Sequence, residues 1–314
     1  MTATCPCHTI APAAGQPPEN VQIQTVTGCN GGCSFCPNGK TRRPIPMGRR
    51  MEEKLFRSVV DQCLELGVRR YTLYLMNEPL LDRSLPERVA YISSRISKPR
   101  YTKITTHGGL LTGDMAKRLL DAGLDKLKIS VQSIDPETYR RIMNLPLEKT
   151  LANIDGFLDL KEKGGYKRPR LEIVTVDSLQ THSELPAIRR YWQKRHIRLH
   201  IEPVENRIDH PQIRASAVGV GRLVPFTWCR RLMEQIFVLH DGRMVLCCSD
   251  WEQQSVVGDL TRNTIADIWR GGQYGEYRRR FMAGDTDGMI CASCRKQAPG
   301  EDRQGLGSRV SRSR

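Results

Sequence analysis

The sequence has no apolar run that approaches the roughly 20 residues needed to cross a bilayer. The first eight residues also lack the basic and apolar regions of a secretory signal peptide. The 11 cysteines are an odd number and occur in clusters, which favours metal binding in a reducing compartment over a disulfide framework. We therefore expect a globular cytoplasmic protein with no membrane partner.

The formal net charge of +15 allows either a nucleic-acid surface or a solvated basic exterior. The densest basic groups, at 40–50 and 278–280, lack the interleaved aromatic residues of a single-strand binding platform. We therefore expect no nucleic-acid partner. A substrate that carries a phosphate or a carboxylate would also suit this positive field.

Three cysteines lie within eight residues of a glycine-rich loop at 27–38, namely Cys29, Cys33 and Cys36. A structural zinc site requires four closed protein ligands, and this loop contains no fourth cysteine or histidine. A [4Fe–4S] cluster takes thiolate ligands, and three of them leave one iron open for a small molecule. The spacing therefore predicts such a cluster rather than unrelated core or surface cysteines.

The spacing CxxxCxxC, directly after a β-branched stretch at 21–26, resembles the radical S-adenosylmethionine (radical SAM) enzymes. The resemblance implies that the amino and carboxylate groups of SAM bind the open iron. It further implies that an electron cleaves SAM and that the resulting 5′-deoxyadenosyl radical removes hydrogen from substrate. Phe35 would lie near the adenine, and an electron donor such as flavodoxin or ferredoxin would be a partner.

Strand-like and helix-like stretches alternate along the chain and predict βα units. The predicted strands are 21–26, 70–76, 102–106, 126–132, 171–176 and 197–203. The predicted helices are 51–66, 85–97, 113–122, 147–163 and 183–195, and Cys63 falls on the apolar face of the first. Six parallel strands match the α/β fold that the resemblance implies, a partial (βα)6 barrel of the TIM type. Chemistry in such barrels lies at the carboxyl ends of the strands.

Polar residues follow the second and third predicted strands. Asn77-Glu-Pro-Leu resembles the Gly-Glu-Pro motif of the family with Asn77 in place of glycine, and Glu78 would bind the SAM ammonium group. Glu78 could instead be a surface carboxylate before a proline. Thr106 and His107 lie in a stretch that resembles Thr-Asn-Gly, which makes Thr106 a cofactor-binding candidate. His107 is either a loop residue or a substrate ligand.

The fourth predicted strand places Lys128, Ser130 and Gln132 on one face by its period of two. Ser130 and Gln132 could meet the ribose and the carboxylate of SAM. Lys128 could reach the SAM carboxylate or the substrate. Glu202 and Glu205, after the sixth strand, could hold a hydroxylated substrate or accept its proton, although such rim carboxylates can also be merely solvated. Glu202, Glu205 and Lys128 are therefore the catalytic candidates.

A second group of cysteines occurs near the end of the chain, and its members are Cys229, Cys247, Cys291 and Cys294. Their order resembles the ligand set of the short "twitch" form of the SPASM domain, which binds an auxiliary [4Fe–4S] cluster. A predicted hairpin, with strands 235–239 and 244–247 around the turn at Gly242, would deliver Cys247 at its end. Cys248 is the alternative ligand to Cys247, and a structural zinc is the alternative to a cluster.

These patterns divide the chain into four segments. We expect a mobile N-terminal segment at 1–19, a radical SAM barrel at 20–222, an auxiliary-cluster domain at 223–298 and a disordered basic tail at 299–314. The short amphipathic stretch 264–270 is predicted to cover the hairpin. No role is assigned to Cys5 or Cys7.

The resemblance extends to radical SAM members that modify antibiotic sugars, nucleosides and aminoglycosides, among them a dehydrogenase. It predicts oxidation of an alcohol to a ketone on a carbohydrate-derived small molecule, with the auxiliary cluster as electron acceptor. A redox-neutral reaction is the second hypothesis: decarboxylation, dehydration, deoxygenation or epimerisation. Peptide or RNA modification is the third, and only about 20 residues precede the first strand to recognise such a substrate. A zinc-based nucleic-acid binder is the fourth, and it leaves Glu78 unexplained.

Overall fold

Six parallel strands form one side of the sheet in the computed structural model, which describes residues 16–205, 208, 210–219 and 228–293. Their neighbours in the sheet follow their order in the chain. This arrangement confirms the predicted α/β barrel fold. The strands are β1 (Asn20–Ile23), β2 (Arg70–Thr72), β3 (Tyr101–Thr106), β4 (Lys126–Ser130), β5 (Arg170–Asp177) and β6 (Arg198–Pro203).

Helices connect these strands, and the five predicted ones are all present. They are α1 (Glu53–Glu65), α2 (Leu85–Ser93), α3 (Gly113–Asp121), α5 (Leu147–Lys163) and α6 (Leu185–Lys194). The further helices are α4 (Pro136–Met143), α7 (Pro211–Ala215), α8 (Arg230–Glu234), α9 (Ile265–Arg270) and α10 (Gly272–Met282). Short 3₁₀ segments lie at Pro79–Leu81, His182–Glu184 and Ile290–Ser293.

Several predicted elements end earlier than expected, among them the first and fourth strands, which end at Ile23 and Ser130. The second strand, predicted to reach residue 76, ends at Thr72, because the side-chain oxygen of Asn77 accepts a hydrogen bond from the Leu75 amide (3.1 Å) and turns the chain. The second helix, predicted to reach residue 97, ends at Ser93. There the amides of Arg95 and Ile96 both donate to the carbonyl of Ile92, which closes the last turn.

The core lies between the sheet and the helices on its outer face. Phe56, Val59 and Cys63 of α1 have no exposed surface, so the prediction that Cys63 is a core residue is confirmed. Full burial of a side chain such as Phe56 or Val59 stabilises the fold by about 1.5–3 kcal/mol. No helix among the described residues is long and apolar enough to span a bilayer.

The sheet continues beyond β1 into the C-terminal part of the chain. Strand β7 (Gln235–Val238) pairs in parallel with β1, and Asn20 lies opposite Gln235. Strands β8 (Arg243–Val245) and β9 (Val256–Asp259) then add in antiparallel fashion, so the predicted hairpin of β7 and β8 is present. The result is one nine-stranded sheet. The predicted domain division at 222/223 falls outside the described residues and stays a prediction.

Helix α9 covers this extension. Thr264 caps the helix in a reciprocal capping box with Asp267, as the sequence at 264–270 allows. Ile268 packs so closely on β9 that a Cβ atom at Gly258 would lie 2.4 Å from its Cδ1 atom. The predicted amphipathic stretch therefore packs on the outer strand of the hairpin extension.

Candidate active site

The loop that carries Cys29, Cys33 and Cys36 begins directly after β1 with a sharp turn at Gly28. Gly28 has a φ of +85°, and a Cβ atom there would lie 2.4 Å from the sulfur of Met47. The Gly28 carbonyl accepts a hydrogen bond from the Glu78 amide (2.9 Å). This contact ties the start of the cysteine loop to the loop that follows β2. Only glycine fits this positive φ and this close approach to Met47.

The last turn of α4 holds the middle of the cysteine loop. The amide of Gly32 donates to the carbonyl of Met143, and that of Ser34 donates to the carbonyl of Ile142, both at 2.9 Å. The sulfur of Cys33 lies 3.3 Å from the sulfur of Met143. The loop is therefore positioned by backbone contacts that do not depend on a bound cluster.

The thiols of this loop influence one another. Burial, with smaller contributions from the nearby Glu78 carboxylate and Cys36, raises the pKa of Cys29 to about 12, although a hydrogen bond from the Gly31 amide opposes the rise. Burial also raises the pKa of Cys33, with contributions from Cys36 and Cys29. Cys29 and Cys33, which resist ionisation in the absence of a partner, are suited to a cationic iron centre, which holds thiolates in the charged form. In the described ranges, no three His, Cys, Asp or Glu side chains lie close enough together to hold one metal ion.

Glu78 is a buried carboxylate with well-defined hydrogen bonds. Its Oε1 atom accepts from the Leu80 amide (3.0 Å) and from the Thr106 hydroxyl (2.5 Å), and its Oε2 atom accepts from the His107 amide (3.0 Å). The Thr106 hydroxyl in turn accepts from the Gly108 amide (3.0 Å). Thr106, predicted to bind cofactor, therefore contacts Glu78 and orients its carboxylate.

His107 links Glu78 to the cysteine loop. Its Nδ1 atom accepts from the Gly109 amide (3.0 Å), so its Nε2 atom carries the proton in the neutral ring. That Nε2–H group donates to the Asn30 side-chain oxygen at 2.9 Å. Of the two alternatives for His107, these contacts favour a loop residue that orients its neighbours.

Asn77 occupies the position where the family motif has glycine. It is not among the described non-glycine residues with positive φ, so its side chain causes no backbone strain. Its oxygen accepts from the Leu75 amide, while its buried Nδ2 atom has no hydrogen-bond partner among the described residues. The departure from glycine therefore leaves the carboxylate of Glu78 in place.

A cavity of about 290 Å³ opens at the carboxyl ends of β3 to β6, beside the cysteine loop. It brings together eight of the 12 site residues predicted in the barrel, whereas Cys29, Asn77, Glu78 and Thr106 lie outside its lining. The Gln132 side-chain oxygen accepts from the Val176 amide (2.7 Å), which fixes this side chain on β5. The lining includes Cys33, Phe35, Cys36, Lys128, Ser130, Gln132, Glu202 and Glu205.

The three catalytic candidates line this cavity and have ionic partners. The Lys128 amine lies 3.7 Å from a carboxylate oxygen of Glu202. Glu205 accepts two hydrogen bonds from one guanidinium nitrogen of Arg231, at 2.7 and 2.9 Å. Glu205 is thus neutralised by α8, which leaves Glu202 as the more accessible carboxylate in the cavity.

Lys103 on β3 is a cavity residue that the sequence prediction missed. Its side chain lines the same cavity, and its pKa is lowered to about 8 by burial and by the nearby charge of Lys128. The signal in the sequence was the period of two on β3, which places Lys103 on the same face as Thr105.

A second group of thiols surrounds the buried ring of Tyr274 on α10. Burial raises the pKa of the Tyr274 phenol, and the thiols of Cys247, Cys229 and Cys291 each add to the rise. Three cysteines far apart in the chain are therefore close to one buried side chain. Cys294, the predicted fourth ligand, lies outside the described residues.

Cys247 and Cys248 have different surroundings. Cys248 is buried in an apolar cluster with Trp251 and Phe237, whereas Cys247 is only partly buried at its edge. A hydrogen bond to Cys248 and burial raise the pKa of Cys247. Cys247 is among the thiols that raise the pKa of Tyr274, together with Cys229 and Cys291, which supports Cys247 as the ligand.

Comparison with protein families identifies both halves of the site. The model of the radical SAM superfamily matches residues 23–168, and that of SPASM, an iron–sulfur cluster-binding domain, matches residues 229–295. The chain therefore contains a radical SAM domain and a SPASM domain. These domains use SAM and [4Fe–4S] clusters, one of them auxiliary.

Curated relatives are similar over part of the chain. A probable GTP 3′,8-cyclase of Methanococcus maripaludis is 29% identical over 181 residues, which is 57% of this chain and 57% of that protein. The PqqA peptide cyclase of Granulibacter bethesdensis is 31% identical over 130 residues, which is 41% of this chain and 33% of that protein. The match to the first of these relatives thus spans little more than half of its length.

Solved structures share the fold at low sequence identity. BtrN in complex with AdoMet and 2-DOIA aligns with a TM-score of 0.57 at 18% identity and covers 87% of this chain and 90% of that one. Streptococcus suis SuiB bound to precursor peptide SuiA aligns with a TM-score of 0.70 at 14% identity, with coverage of 89% and 70%. These likenesses confirm the predicted architecture.

Proposed function

We propose that this enzyme removes a hydrogen atom from a hydroxylated carbon of a sugar, aminocyclitol or nucleoside and oxidises the alcohol to a ketone. The observation that carries the proposal is the polar cavity of about 290 Å³ between the cysteine loop and β6. Its lining combines hydroxyl, amide, amine and carboxylate groups, which suits a small molecule rich in hydroxyl groups.

The residues of this chain would hold the cofactors in the following way. Cys29, Cys33 and Cys36 would ligate one cluster, the buried carboxylate of Glu78 would bind the SAM ammonium, and Phe35 would border the adenine. When bound, SAM and its cluster supply the 5′-deoxyadenosyl radical. Glu78 suits an ammonium group because, apart from a protonated His107, no cation pairs with it among the described residues.

Oxidation of an alcohol to a ketone requires the loss of one hydrogen atom, one proton and one electron. Glu202 is the best placed group to accept the hydroxyl proton, because it faces the cavity beside Lys128 while Glu205 is held by Arg231. Lys128, whose amine lies 3.7 Å from a Glu202 oxygen, would hold that carboxylate in position to accept the proton.

An auxiliary cluster at Cys229, Cys247, Cys291 and Cys294 would supply an acceptor for the remaining electron. The apolar cluster formed by Leu75, Met76, Phe237, Leu239, Val245, Cys248 and Trp251 supports this role, because Cys36 and Cys247 both pack against it. The two thiol groups are therefore connected through one packed region of the protein.

Two other reaction classes remain as alternatives. Redox-neutral chemistry, such as decarboxylation or dehydration of a sugar acid or nucleoside, would suit the lysines of the cavity. The names of the curated relatives favour a nucleotide or peptide substrate and a cyclisation. We place both behind alcohol oxidation because the polar lining of the cavity suits a small hydroxylated molecule and because the two thiol groups are connected through one packed region. We also propose that the protein is cytoplasmic and takes electrons from a flavodoxin or ferredoxin.

Product mass tests the proposal. Reconstituted enzyme, reductant and SAM would be incubated with a panel comprising an aminocyclitol, a glucuronic acid nucleoside, GTP and a cysteine-rich peptide. Oxidation predicts a product that has lost two hydrogens, and a substrate deuterated at the alcohol carbon should transfer its deuterium to 5′-deoxyadenosine. Loss of water or carbon dioxide, or a cyclised nucleotide or peptide, would contradict it.

A matched pair of variants tests the proton acceptor. Glu202→Gln should lower ketone formation by about 10²–10⁴-fold, the usual contribution of a general base. Glu184→Gln, a change outside the cavity lining, should leave the rate of ketone formation unchanged. An active Glu202→Gln enzyme would show that another group accepts the proton.

A further inference from the structure

Two lysines project into the cavity from neighbouring strands. Lys103 of β3 and Lys128 of β4 both line it, and each raises the cost of charging the other. Like charges held together in a partly buried site are unfavourable unless an anion lies between or beside them. The pair is therefore a feature that the fold maintains at some expense of stability.

The carboxylates near the cavity compensate the charge of Lys103 only in part, and Glu202 is the one that favours its charged form. Glu202 is 3.7 Å from Lys128, and Glu205 is paired with Arg231. Glu172, opposite Lys128 in the sheet, contacts Arg170 at 3.1 Å and His200 at 3.0 Å.

Lys103 itself makes no hydrogen bond or ion pair with any described residue, although distant charges act on it. One positive charge in the cavity is thus left without a partner.

The lysines lie deeper in the barrel than the residues predicted to bind SAM. On β4, Lys128 precedes Ser130 by two residues and Gln132 by four, on the same face. Thr105 lies opposite Lys128 in the sheet. Lys103 precedes Thr105 by two residues, so the Cα atom of Lys103 lies two residues deeper in the barrel than that of Lys128. Lys103 is therefore placed to meet a molecule bound below the Ser130 and Gln132 level.

We propose that Lys103, together with Lys128, binds an anionic group of the substrate, a carboxylate or a phosphate, at the floor of the cavity. The inference rests on the proposed function, because it assigns the cavity to a small-molecule substrate. It narrows the substrate from hydroxylated compounds in general to sugar acids, sugar phosphates or their nucleosides. A charge-assisted contact to Lys103 would also orient the hydroxylated carbon relative to Glu202.

The test is calorimetric binding to the reconstituted enzyme saturated with SAM. The probes are D-glucuronate, which carries a carboxylate, D-glucose 6-phosphate, which carries a phosphate, and D-glucose, which has no anionic group. We expect at least one anionic sugar to bind about tenfold or more tightly than glucose, since tenfold corresponds to about 1.4 kcal/mol and one such contact supplies that. The stronger of the two identifies a carboxylate or a phosphate.

Variants of Lys103 identify the residue responsible. Lys103→Met should remove the preference for the anionic sugar, and Lys103→Arg should retain most of it. Lys117→Met is the control, because Lys117 is an exposed lysine of α3 that pairs with Asp121 outside the cavity lining. Iron content and thermal unfolding check that each variant is folded and loaded.

Three results would overturn the inference. One is a parent enzyme that binds neither anionic sugar better than glucose. Another is an unchanged preference in Lys103→Met. The last is a Lys103→Met enzyme that loses SAM affinity about tenfold, which would show that the lysine binds the carboxylate of SAM. Deuterium transfer from a neutral alcohol would still support the proposed function in each case, so the two failures are distinguishable.

Discussion

The two groups of thiols differ in how the chain brings them together. Cys29, Cys33 and Cys36 lie within eight residues, and the loop is held by β1 and the last turn of α4. The second group comes from three separate places: Cys229 before α8, Cys247 after β8 and Cys291 in a 3₁₀ segment. The first site is local in sequence, and the second depends on the tertiary fold.

This difference teaches where each site is vulnerable. The first site keeps its shape through backbone hydrogen bonds at 2.9 Å to Met143 and Ile142, so distant changes should affect it little. The second depends on the packing of Tyr274 and on the pairing of β7 with β1. We therefore expect the two sites to be lost independently.

The largest effect should come from removing one group of thiols at a time. Cys29/Cys33/Cys36→Ala should abolish formation of 5′-deoxyadenosine, because SAM would have no iron to bind. Cys229/Cys247/Cys291→Ala should still cleave SAM but form no ketone. Chromatography of 5′-deoxyadenosine and product measures both. Cys63→Ala, in the core, is the control, and equal loss of SAM cleavage in the two triple variants would break the comparison.

A smaller effect is expected at the carboxylate beside the first site. Glu78→Gln should weaken SAM binding by about 10–100-fold, since hydrogen bonds to charged groups contribute about 1.5–3 kcal/mol. Equilibrium binding of SAM to reconstituted protein measures this change. Glu87→Gln removes an exposed carboxylate of α2 that pairs with Arg118 and should leave SAM affinity unchanged. A Glu78→Gln enzyme with normal affinity would contradict the assigned role.

The neighbouring cysteines sharpen the assignment of the second site. Cys247→Ala should lower total iron by up to about half, because it removes a ligand of one of two clusters. Cys248→Ala should retain all the iron, since Cys248 is buried among apolar side chains. Iron and sulfide analysis distinguishes them, and the reverse pattern would make Cys248 the ligand.

The smallest effect concerns packing around the second site. Tyr274→Phe removes a hydroxyl that donates to the Gln235 carbonyl at 3.2 Å, and it should destabilise the protein by about 1 kcal/mol. Tyr71→Phe is the matched control, because the buried Tyr71 hydroxyl has no partner among the described residues. Its removal should be neutral or stabilising. Thermal unfolding of the two variants measures the difference, and equal loss would refute the role of the Tyr274 hydrogen bond.

Much of the fold and of the first site could be predicted because the signals are local. Strand alternation located β1 to β6, and the cysteine spacing identified the loop. The role predicted for Glu78 came from the resemblance of Asn77-Glu-Pro-Leu, after β2, to the family motif. The parallel pairing of β7 with β1 could not be predicted, because strands separated by about 200 residues leave no local pattern.

The missed features have physical reasons of the same kind. Arg231 neutralises Glu205 from α8, a helix of five residues that is too short for a periodic pattern. Lys103 was overlooked because a lysine within a strand usually marks a solvated face. Only the pairing of β3 with β4 in the folded sheet shows that the Lys103 side chain faces the cavity.

The most direct test of two independent sites is iron and sulfide analysis, with Mössbauer spectra, of the anaerobically reconstituted protein and of the two triple cysteine variants. We predict about eight irons per chain in the parent and about four in each variant, all in [4Fe–4S] clusters. A parent with about four irons that retains zinc, or a loss of all iron in either variant, would contradict the account.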